Sequence, residues 1–319
     1  MSDGRLFLGL DTSNYTTSAA LVHEDGTLIA NLKRPLPVKE GEVGLRQSDA
    51  VFAHVKNLPS LMEELATALS SAQPTAIGVS TRPRNLDGSY MPCFLVGDGV
   101  AESLRATLHV PLYRFSHQCG HMMAAIASAG AWSLLDRTFA AFHVSGGTTD
   151  VLRVHASEDG GFVAERVGGA EDLHAGQVID RVGVYMGLPF PCGAHMERLA
   201  LSYRGRIYKR KPSVHGLCAN LSGLENMAKR LYDETSDAAA VSAFALSYIA
   251  ETLSALSLAY TEAYGDTPFL YAGGVMSNSI IKRTLGERFT AHFATPALSA
   301  DNAAGIAYLA RRAHLAAQG

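Results

Sequence analysis

Cysteine is scarce in this chain. Four are scattered over 319 residues, Cys93, Cys119, Cys192 and Cys218, and no two form a C-x-x-C pair. That excludes a disulfide scaffold and favours a reduced, intracellular protein. Charge is sparse as well: charged residues make up 18% and the net charge is −3. The chain as a whole therefore carries no basic footprint for nucleic acid, although a local patch stays open. No basic stretch leads into an apolar segment at the N-terminus, so no secretory signal is read and the expected location is cytoplasmic. The longest apolar tract, Ala238 to Tyr264, is interrupted by Ser242, Ser247, Tyr248, Glu251, Thr252 and Ser254. It reads as a buried amphipathic helix and not as a membrane span. Low-complexity segments and long linkers are lacking. So is H-E-x-x-H, the motif of zinc metalloproteases, which makes proteolysis the least expected activity.

What the chain does have is apolar residues, 47% of the total. That is enough for a sizeable core in one large or two medium domains. The organising stretch is FHVSGGTTDVLRV, Phe142 to Val154. An apolar run, a turn of Ser145-Gly146-Gly147-Thr148-Thr149-Asp150 and a second β-branched run predict a β-hairpin. Two glycines in the turn let a ligand approach the backbone, whose N–H groups can cradle an anion. A second copy of the plan stands at Leu6 to Val22, with Asp11-Thr12-Ser13 and Thr16-Thr17 at its tip. The echo predicts a duplicated fold with a ligand between the halves.

Along the chain, strands are expected at Leu6–Leu10, Thr16–Val22, Thr27–Leu32, Ala76–Ser80 and Pro111–Phe115. Helices are expected from Ala50 to Ser71, Val96 to Leu108 and Met122 to Ala129. The second half repeats the rhythm with strands at Phe139–Val144, Val151–His155 and Phe162–Val167, and a helix from Asp180 to Gly187. Pro189, Pro191 and Gly193 predict a tight loop, and Tyr203 to Gly223 reads as irregular. A strand at Phe269–Ala272, a helix from Ser277 to about Phe289, a strand at Ala291–Ala294 and a last helix opened by Asp301 close the chain. Three strands followed by alternating helices and strands, twice, predict two α/β lobes. The division falls at residues 1–130 and 131–319, with the option that the last helix packs back on the first lobe.

Several constellations carry chemistry. His117 and His121 stand four apart, which on a helix puts both imidazoles on one face, a common way to present two metal ligands. Ser116 is an expected N-cap for that helix. Cys119 points away from the pair and reads as a small buried residue. Asp301-Asn302 is either an N-cap or a third, carboxylate ligand. Gly273-Gly274 between strand and helix suits either a packing turn or the approach of a nucleotide to a helix N-terminus. Asn278 lies in the first turn of that helix. Asp11 closes the first strand and either satisfies its turn or orients a reacting group. Asp180 sits beside Arg181. The run Arg204, Arg206, Lys209, Arg210 and Lys211, with Tyr203 and Tyr208, is either a solvated loop or an RNA-contacting one.

The order of these motifs is more telling than any one of them. SGGTTDVLRV, EDLHAGQVIDRVGVYMGLPFPCG, NLSGLE, YAGGVMSN and ADNAAGIAY together resemble the tRNA threonylcarbamoyladenosine transferase family, also known as the O-sialoglycoprotein endopeptidase or glycoprotease family. The resemblance runs from LGLDTS to the last helix. It implies two ribonuclease-H-like lobes of the actin, sugar kinase and heat-shock-protein superfamily, with an active cleft between them. It implies one divalent metal, iron or zinc, held by His117, His121 and Asp301. It implies adenine nucleotide or threonylcarbamoyl-adenylate as substrate, contacted by Ser145, Gly146, Gly147, Asp180, Gly193, Gly273, Gly274 and Asn278. It also implies tRNA as acceptor and a paralogous actin-fold protein as partner. Asp11 is the candidate for orienting the attacking amine. The chain departs from the family pattern at Cys119, where the family has Glu, and at Thr148, where it has His. A divergent paralogue fits those departures. The alternatives are a non-catalytic nucleotide-binding assembly partner and an ATP-dependent small-molecule kinase or carbamoyltransferase of the same superfamily.

Overall fold

The computed structural model of the chain describes residues 4–13, 15–37, 45–70, 72–85, 88–157, 160–295, 298 and 303–318. The apolar runs at the start pair as expected. β1 (Leu6–Ser13) and β2 (Thr16–His23) lie antiparallel, with Leu6 opposite His23 and Ser13 opposite Thr16. β3 (Leu28–Pro35) pairs antiparallel with β2, while β4 (Ala76–Arg82) runs parallel to β1 and β5 (Leu112–Ser116) parallel to β4. The sheet order is β3-β2-β1-β4-β5.

β1 is buried on both faces, so its first five residues, Leu6 to Leu10, form a continuous apolar run and not an alternating one. The alternation shows in what each face meets. Leu8 and Leu10 pack with Leu61 and Leu65 of α1 (Gln47–Leu69) and Ala101 of α2 (Phe94–Leu108). Phe7 meets His314 of the last helix, α9 (Ala303–Ala316), at 5.7 Å between ring centroids. α3 (His117–Ala129) follows β5 directly. These elements belong to one compact unit made of Met1–Ser128, Ala156–Ala164 and Ala300–Gly319. The last helix thus belongs to the unit in which the chain begins.

The second unit comprises Ala129–His155 and Glu165–Ser299. Its sheet contains β6 (Phe139–Val144), β7 (Thr149–Ala156), β8 (Phe162–Ala170), β9 (Ser213–His215), β10 (Cys218–Asn220), β11 (Phe269–Ala272) and β12 (Ala291–Phe293), in the order β12-β11-β6-β7-β8-β10-β9. β6 and β7 are antiparallel; β11 is parallel to β6 and β12 parallel to β11. Read outward from its first strand, this repeats the arrangement of the first sheet, with a short β9–β10 hairpin added at the far edge. The duplication expected from the two hairpins is therefore present in strand order and direction.

The second core packs β6 and β11 under α4 (Ala175–Tyr185), α5 (Gly193–Ser202), α6 (Ser222–Thr235), α7 (Ala238–Tyr264) and α8 (Ser279–Gly286). Phe142 and Tyr271 meet at 5.0 Å between ring centroids. Full burial of a side chain such as Phe142 stabilises by about 1.5–3 kcal/mol. α7 is long and apolar enough to cross a membrane, but 78% of its most apolar window is buried inside the protein, as a core helix requires. Asp237 caps it, accepting from the N–H groups of Ala239 and Ala240.

Several boundaries differ from the sequence reading. β1 continues through Asp11-Thr12-Ser13, so these polar residues lie on the strand itself. α3 begins at His117, ahead of the Met122 start of its apolar stretch, and Ser116 is its N-cap as expected: its Oγ accepts the Cys119 N–H at 3.2 Å. The helix expected from Asp180 begins at Ala175, where Gln177 Oε1 accepts the His174 N–H at 3.0 Å. Gly193 opens a helix instead of closing a loop. The stretch read as irregular to Gly223 contains the β9–β10 hairpin and the first turn of α6. Ser277 belongs to a 3-10 turn, Gly274–Ser277, and α8 starts after it.

Candidate functional site

In the first unit the chemistry gathers at the N-terminus of α3. His117 and His121 stand one turn apart, with ring centroids 4.5 Å apart and planes at 72°. Asp11, fully buried, places Oδ2 at 2.8 Å from His117 Nδ1, while its Oδ1 accepts the Ser13 N–H at 3.0 Å. Burial by itself would raise the carboxyl pKa. The His117 imidazole, by charge and hydrogen bond, and the Ser80 and Ser13 side chains outweigh it and hold Asp11 well below the usual carboxylate range. The strand is pinned to the start of α2 one residue beyond this point. Thr12 Oγ1 donates to Cys93 O at 2.9 Å and accepts the Gly97 N–H at 3.1 Å.

A buried histidine that the sequence reading missed stands behind Ser13. His54 Nε2 lies 2.9 Å from Ser13 O and its Nδ1 lies 2.8 Å from Thr17 Oγ1. A carbonyl only accepts, so Nε2 carries the proton and Nδ1 accepts from the Thr17 hydroxyl. Asn57 Nδ2 in turn donates to Thr17 Oγ1 at 3.1 Å. Burial pushes the His54 pKa down, against the opposing pulls of Ser13 O and Asp11. The visible signal was a polar residue at a core position of α1, in step with Leu58, Leu61 and Leu65.

Cys119 is buried, as its sequence position suggested. Its Sγ accepts from Asn85 Nδ2 at 3.3 Å and donates to Phe162 O at 3.1 Å, so it ties α3 to residue 162 of the same unit. The donor set suits a metal in one respect. An imidazole fixed through Nδ1 by a buried carboxylate presents Nε2 outward, which is how ligating histidines are commonly oriented. Among the described residues no three His, Cys, Asp or Glu side chains form a complete ligand group. Asp301, the expected third ligand, lies outside the described residues.

In the second unit a cavity of about 310 Å³ is lined by Gly146, Gly176, Ile179, Asp180, Pro191, Gly193, Ala194, Glu197, Gly274, Val275, Ser277 and Asn278. That volume is at the lower end for small-molecule sites. Five residues singled out from sequence meet here: Gly146, Asp180, Gly193, Gly274 and Asn278. Ser145, Gly147 and Gly273 adjoin the cavity in sequence without lining it.

The walls are built by close packing. The hairpin tip closes through Ser145 N–H to Thr148 O at 2.8 Å. α4 docks beneath it: the Gly176 N–H donates to Ser145 O at 3.2 Å and the Ala175 N–H to Thr149 Oγ1 at 3.0 Å. A Cβ at Gly176 would come within 2.6 Å of Ser145 O, so glycine sets that approach. Gly273 has φ +102, and a Cβ there would meet Val144 O at 2.3 Å. Gly146 and Gly274, by contrast, have open space where a Cβ would stand.

Asp180 Oδ1 accepts the Cys192 N–H at 2.8 Å and so holds the turn that leads into α5. Asn278 Oδ1 caps α8, accepting from Ile280 and Ile281 N–H at 3.1 and 3.2 Å. Glu197, not singled out from sequence, accepts the Ser279 N–H at 2.7 Å. Two carboxylates facing a cavity lined with glycine suit the hydroxyl and amine donors of a nucleoside better than bare phosphate. The first turn of α5, with Gly193 and Ala194, supplies the complementary positive end.

Two sheets of repeated topology define the class by its fold: two ribonuclease-H-like α/β lobes, the fold seen in actin and the sugar kinases. Solved structures agree on the fold. A full-length HypF in its phosphate- and nucleotide-bound form matches with TM-score 0.60 at 12% identity, over 99% of this chain and 47% of that one. The activator of 2-hydroxyisocaproyl-CoA dehydratase from Clostridium difficile matches with TM-score 0.50 at 13% identity, over 98% and 97%.

Within that class the chain belongs to the tRNA N6-adenosine threonylcarbamoyltransferase family, whose model matches residues 40–308. A relative of that name from Thermus thermophilus is 32% identical over 96% of this chain and 92% of its own length. The one from a Geobacter species is 29% identical over 95% and 89%. The family is one of acyl-type transferases acting on tRNA.

Proposed function

We propose that this protein transfers a threonylcarbamoyl group from threonylcarbamoyl-adenylate to an adenosine of tRNA, in the cytoplasm and with a paralogous actin-fold protein as partner. The observation that carries the reading is the second unit's cavity, where Gly146, Asp180, Gly193, Gly274 and Asn278 converge from separate segments of a chain that belongs to this family.

The adenylate is assigned to that cavity. Asp180 and Glu197 accept from ribose hydroxyls, and Asn278 supplies polar contact to the base or ribose. Within the Ser145–Gly147 turn the Gly146 N–H, on the cavity wall, stabilises negative charge that develops as the acyl carbon is attacked. The exocyclic amine of adenosine forms the new bond to the carbamoyl carbon. The bond from that carbon to the phosphate oxygen breaks, AMP leaves, and the amine's proton passes to solvent or to the leaving phosphate.

His117 and His121, with Asp301, would hold one divalent metal, iron or zinc. That metal would supply Lewis-acid polarisation of an acyl carbonyl. Asp11 is buried against His117 and acts by positioning that imidazole rather than by touching the attacking amine. The test is tRNA-dependent release of AMP from threonylcarbamoyl-adenylate by the purified protein with its partners. Release that is the same with and without tRNA would refute transfer.

One observation favours a second reading, a nucleotide-binding paralogue without transfer. Thr148 and Cys119 replace the family's polar residues, and the Cys119 thiol is engaged in packing. Metal analysis separates the two. A metal-free protein whose His117→Ala form binds its partner normally supports the second reading.

A further inference from the structure

Arg204, Arg206, Lys209, Arg210 and Lys211 fall within eight consecutive residues of a chain whose net charge is −3, and no acidic residue lies among them. All five are exposed, as are Ile207 and Tyr208 between them. Like charges at this density repel one another, so the segment needs fixed ends to keep its place. It has them. Tyr203 closes α5 with its N–H on Leu199 O at 3.2 Å, and its hydroxyl donates to Arg206 O at 3.3 Å. A Cβ at Gly205 would come within 2.3 Å of that hydroxyl, so the ring folds against the glycine. At the far end the hydroxyl of buried Tyr248 donates to Lys211 O at 3.5 Å and accepts the Ser213 N–H at 3.2 Å.

The cations are not equivalent. Arg204 turns back on the end of α5, with Nη1 at 2.7 Å from Leu201 O, and serves as a helix C-cap. Lys209 lies in the field of Glu251, whose carboxylate Arg288 grips with two hydrogen bonds. Among the described residues Arg206, Arg210 and Lys211 form no ion pair with a carboxylate. α5 joins this segment to the cavity. Its first turns line the cavity through Gly193, Ala194 and Glu197, and it ends at Ser202. A helix of this length spans about 14 Å at 1.5 Å per residue.

We propose that residues 204–211 contact the phosphates of the RNA substrate, with Tyr208 offering its ring to an unpaired base; this rests on the tRNA reading given above. Cations strung along a stretch without helix or strand, able to span up to about 25 Å for eight residues, match evenly spaced single charges better than one compact acidic cluster. Interleaved aromatic rings are what single-stranded RNA uses for stacking.

The test variant is Arg206→Gln/Arg210→Gln/Lys211→Gln, which spares the cap, Lys209 and both tyrosine tethers. Binding of fluorescently labelled tRNA is followed by anisotropy across a salt series, with ATP affinity and Tm measured alongside. The expected result is at least about tenfold weaker tRNA binding. The slope of log K against log salt becomes shallower by about 2, from roughly 0.7 per lost single-strand contact. ATP affinity is unchanged and Tm is not lowered. Tyr208→Ala weakens binding and Tyr208→Phe does not. An unchanged tRNA affinity and slope overturns the proposal even if the wild type transfers normally, as does loss of an acidic protein partner with tRNA binding intact. A wild type that binds tRNA with the steep slope yet modifies none sinks the transferase reading and leaves this one standing. A wild type that binds no tRNA overturns both.

Discussion

The Asp11 carboxylate serves two donors at once: His117 at 2.8 Å through Oδ2 and the Ser13 N–H at 3.0 Å through Oδ1. An asparagine has one acceptor oxygen and serves only one of them. Asp11→Asn is therefore expected to fold but to hold His117 loosely. Its metal affinity, measured by chelator competition, falls about 10–100-fold, the usual cost of losing a carboxylate behind a ligating histidine. ATP affinity does not change. Equal metal affinity in wild type and variant would remove Asp11 from the metal account.

His54 gives a pH signature. Its folded pKa lies below the ordinary value near 6.5 because burial disfavours the cation. The folded state then binds fewer protons than the unfolded one. The stability from neutral His54 is present in full above about pH 6.5 and is lost as pH falls from there toward the folded pKa. His54→Gln is expected to lower Tm at pH 7 and to flatten the decline of Tm below pH 6.5. His143 and His314, also pushed down by burial, keep part of the slope. Parallel Tm curves for the two proteins would show that His54 does not titrate in this way.

Neighbouring glycines should behave oppositely. Gly273 combines φ +102 with a contact that leaves no room for a Cβ, so Gly273→Ala costs about 1–3 kcal/mol or more in denaturant unfolding. Gly274 faces open space in the cavity. Gly274→Leu is expected to keep the wild-type unfolding midpoint and to lose adenine nucleotide binding by calorimetry. A destabilised Gly274→Leu, or one that binds nucleotide normally, would contradict the assignment of this wall.

Asp180 separates a structural from a ligand role. Asp180→Asn keeps an acceptor for the Cys192 N–H, whereas Asp180→Ala strands that N–H and costs about 1–3 kcal/mol. If Asp180 also accepts from a ribose hydroxyl, Asp180→Asn weakens nucleotide binding severalfold at unchanged Tm. Full affinity in the asparagine variant would confine Asp180 to the turn.

The duplicated fold was legible because both hairpins pair short apolar runs across hydroxyl-rich tips, a local pattern that survives without knowledge of tertiary contacts. α7 was legible through its length. α5 was hidden behind Pro189 and Pro191, whose turn signal masked a helix starting two residues later at Gly193. α6 carried a usable signal, Leu224, Ala228 and Leu231 on one face, beside a basic run that drew the reading toward loop. His117 and His121 were found by spacing. The partnership of Asp11 with His117 joins residues 106 apart and follows only from the strand order. Glu197 was missed because nothing local marks a carboxylate whose partner is brought by another element; His54 carried a local mark, a polar residue in step with the core positions of α1, but its partners Ser13 and Thr17 come from a distant hairpin.

The central claim is that tRNA adenosine receives a threonylcarbamoyl group through this protein. Its most direct measurement is mass spectrometry of nucleosides digested from unmodified tRNA after incubation with the purified protein, its partners and threonylcarbamoyl-adenylate. The account predicts an adenosine heavier by one threonylcarbamoyl group, lost in His117→Ala and in Gly274→Leu. Unmodified adenosine from a folded, metal-loaded protein that binds both the adenylate and the tRNA would contradict it.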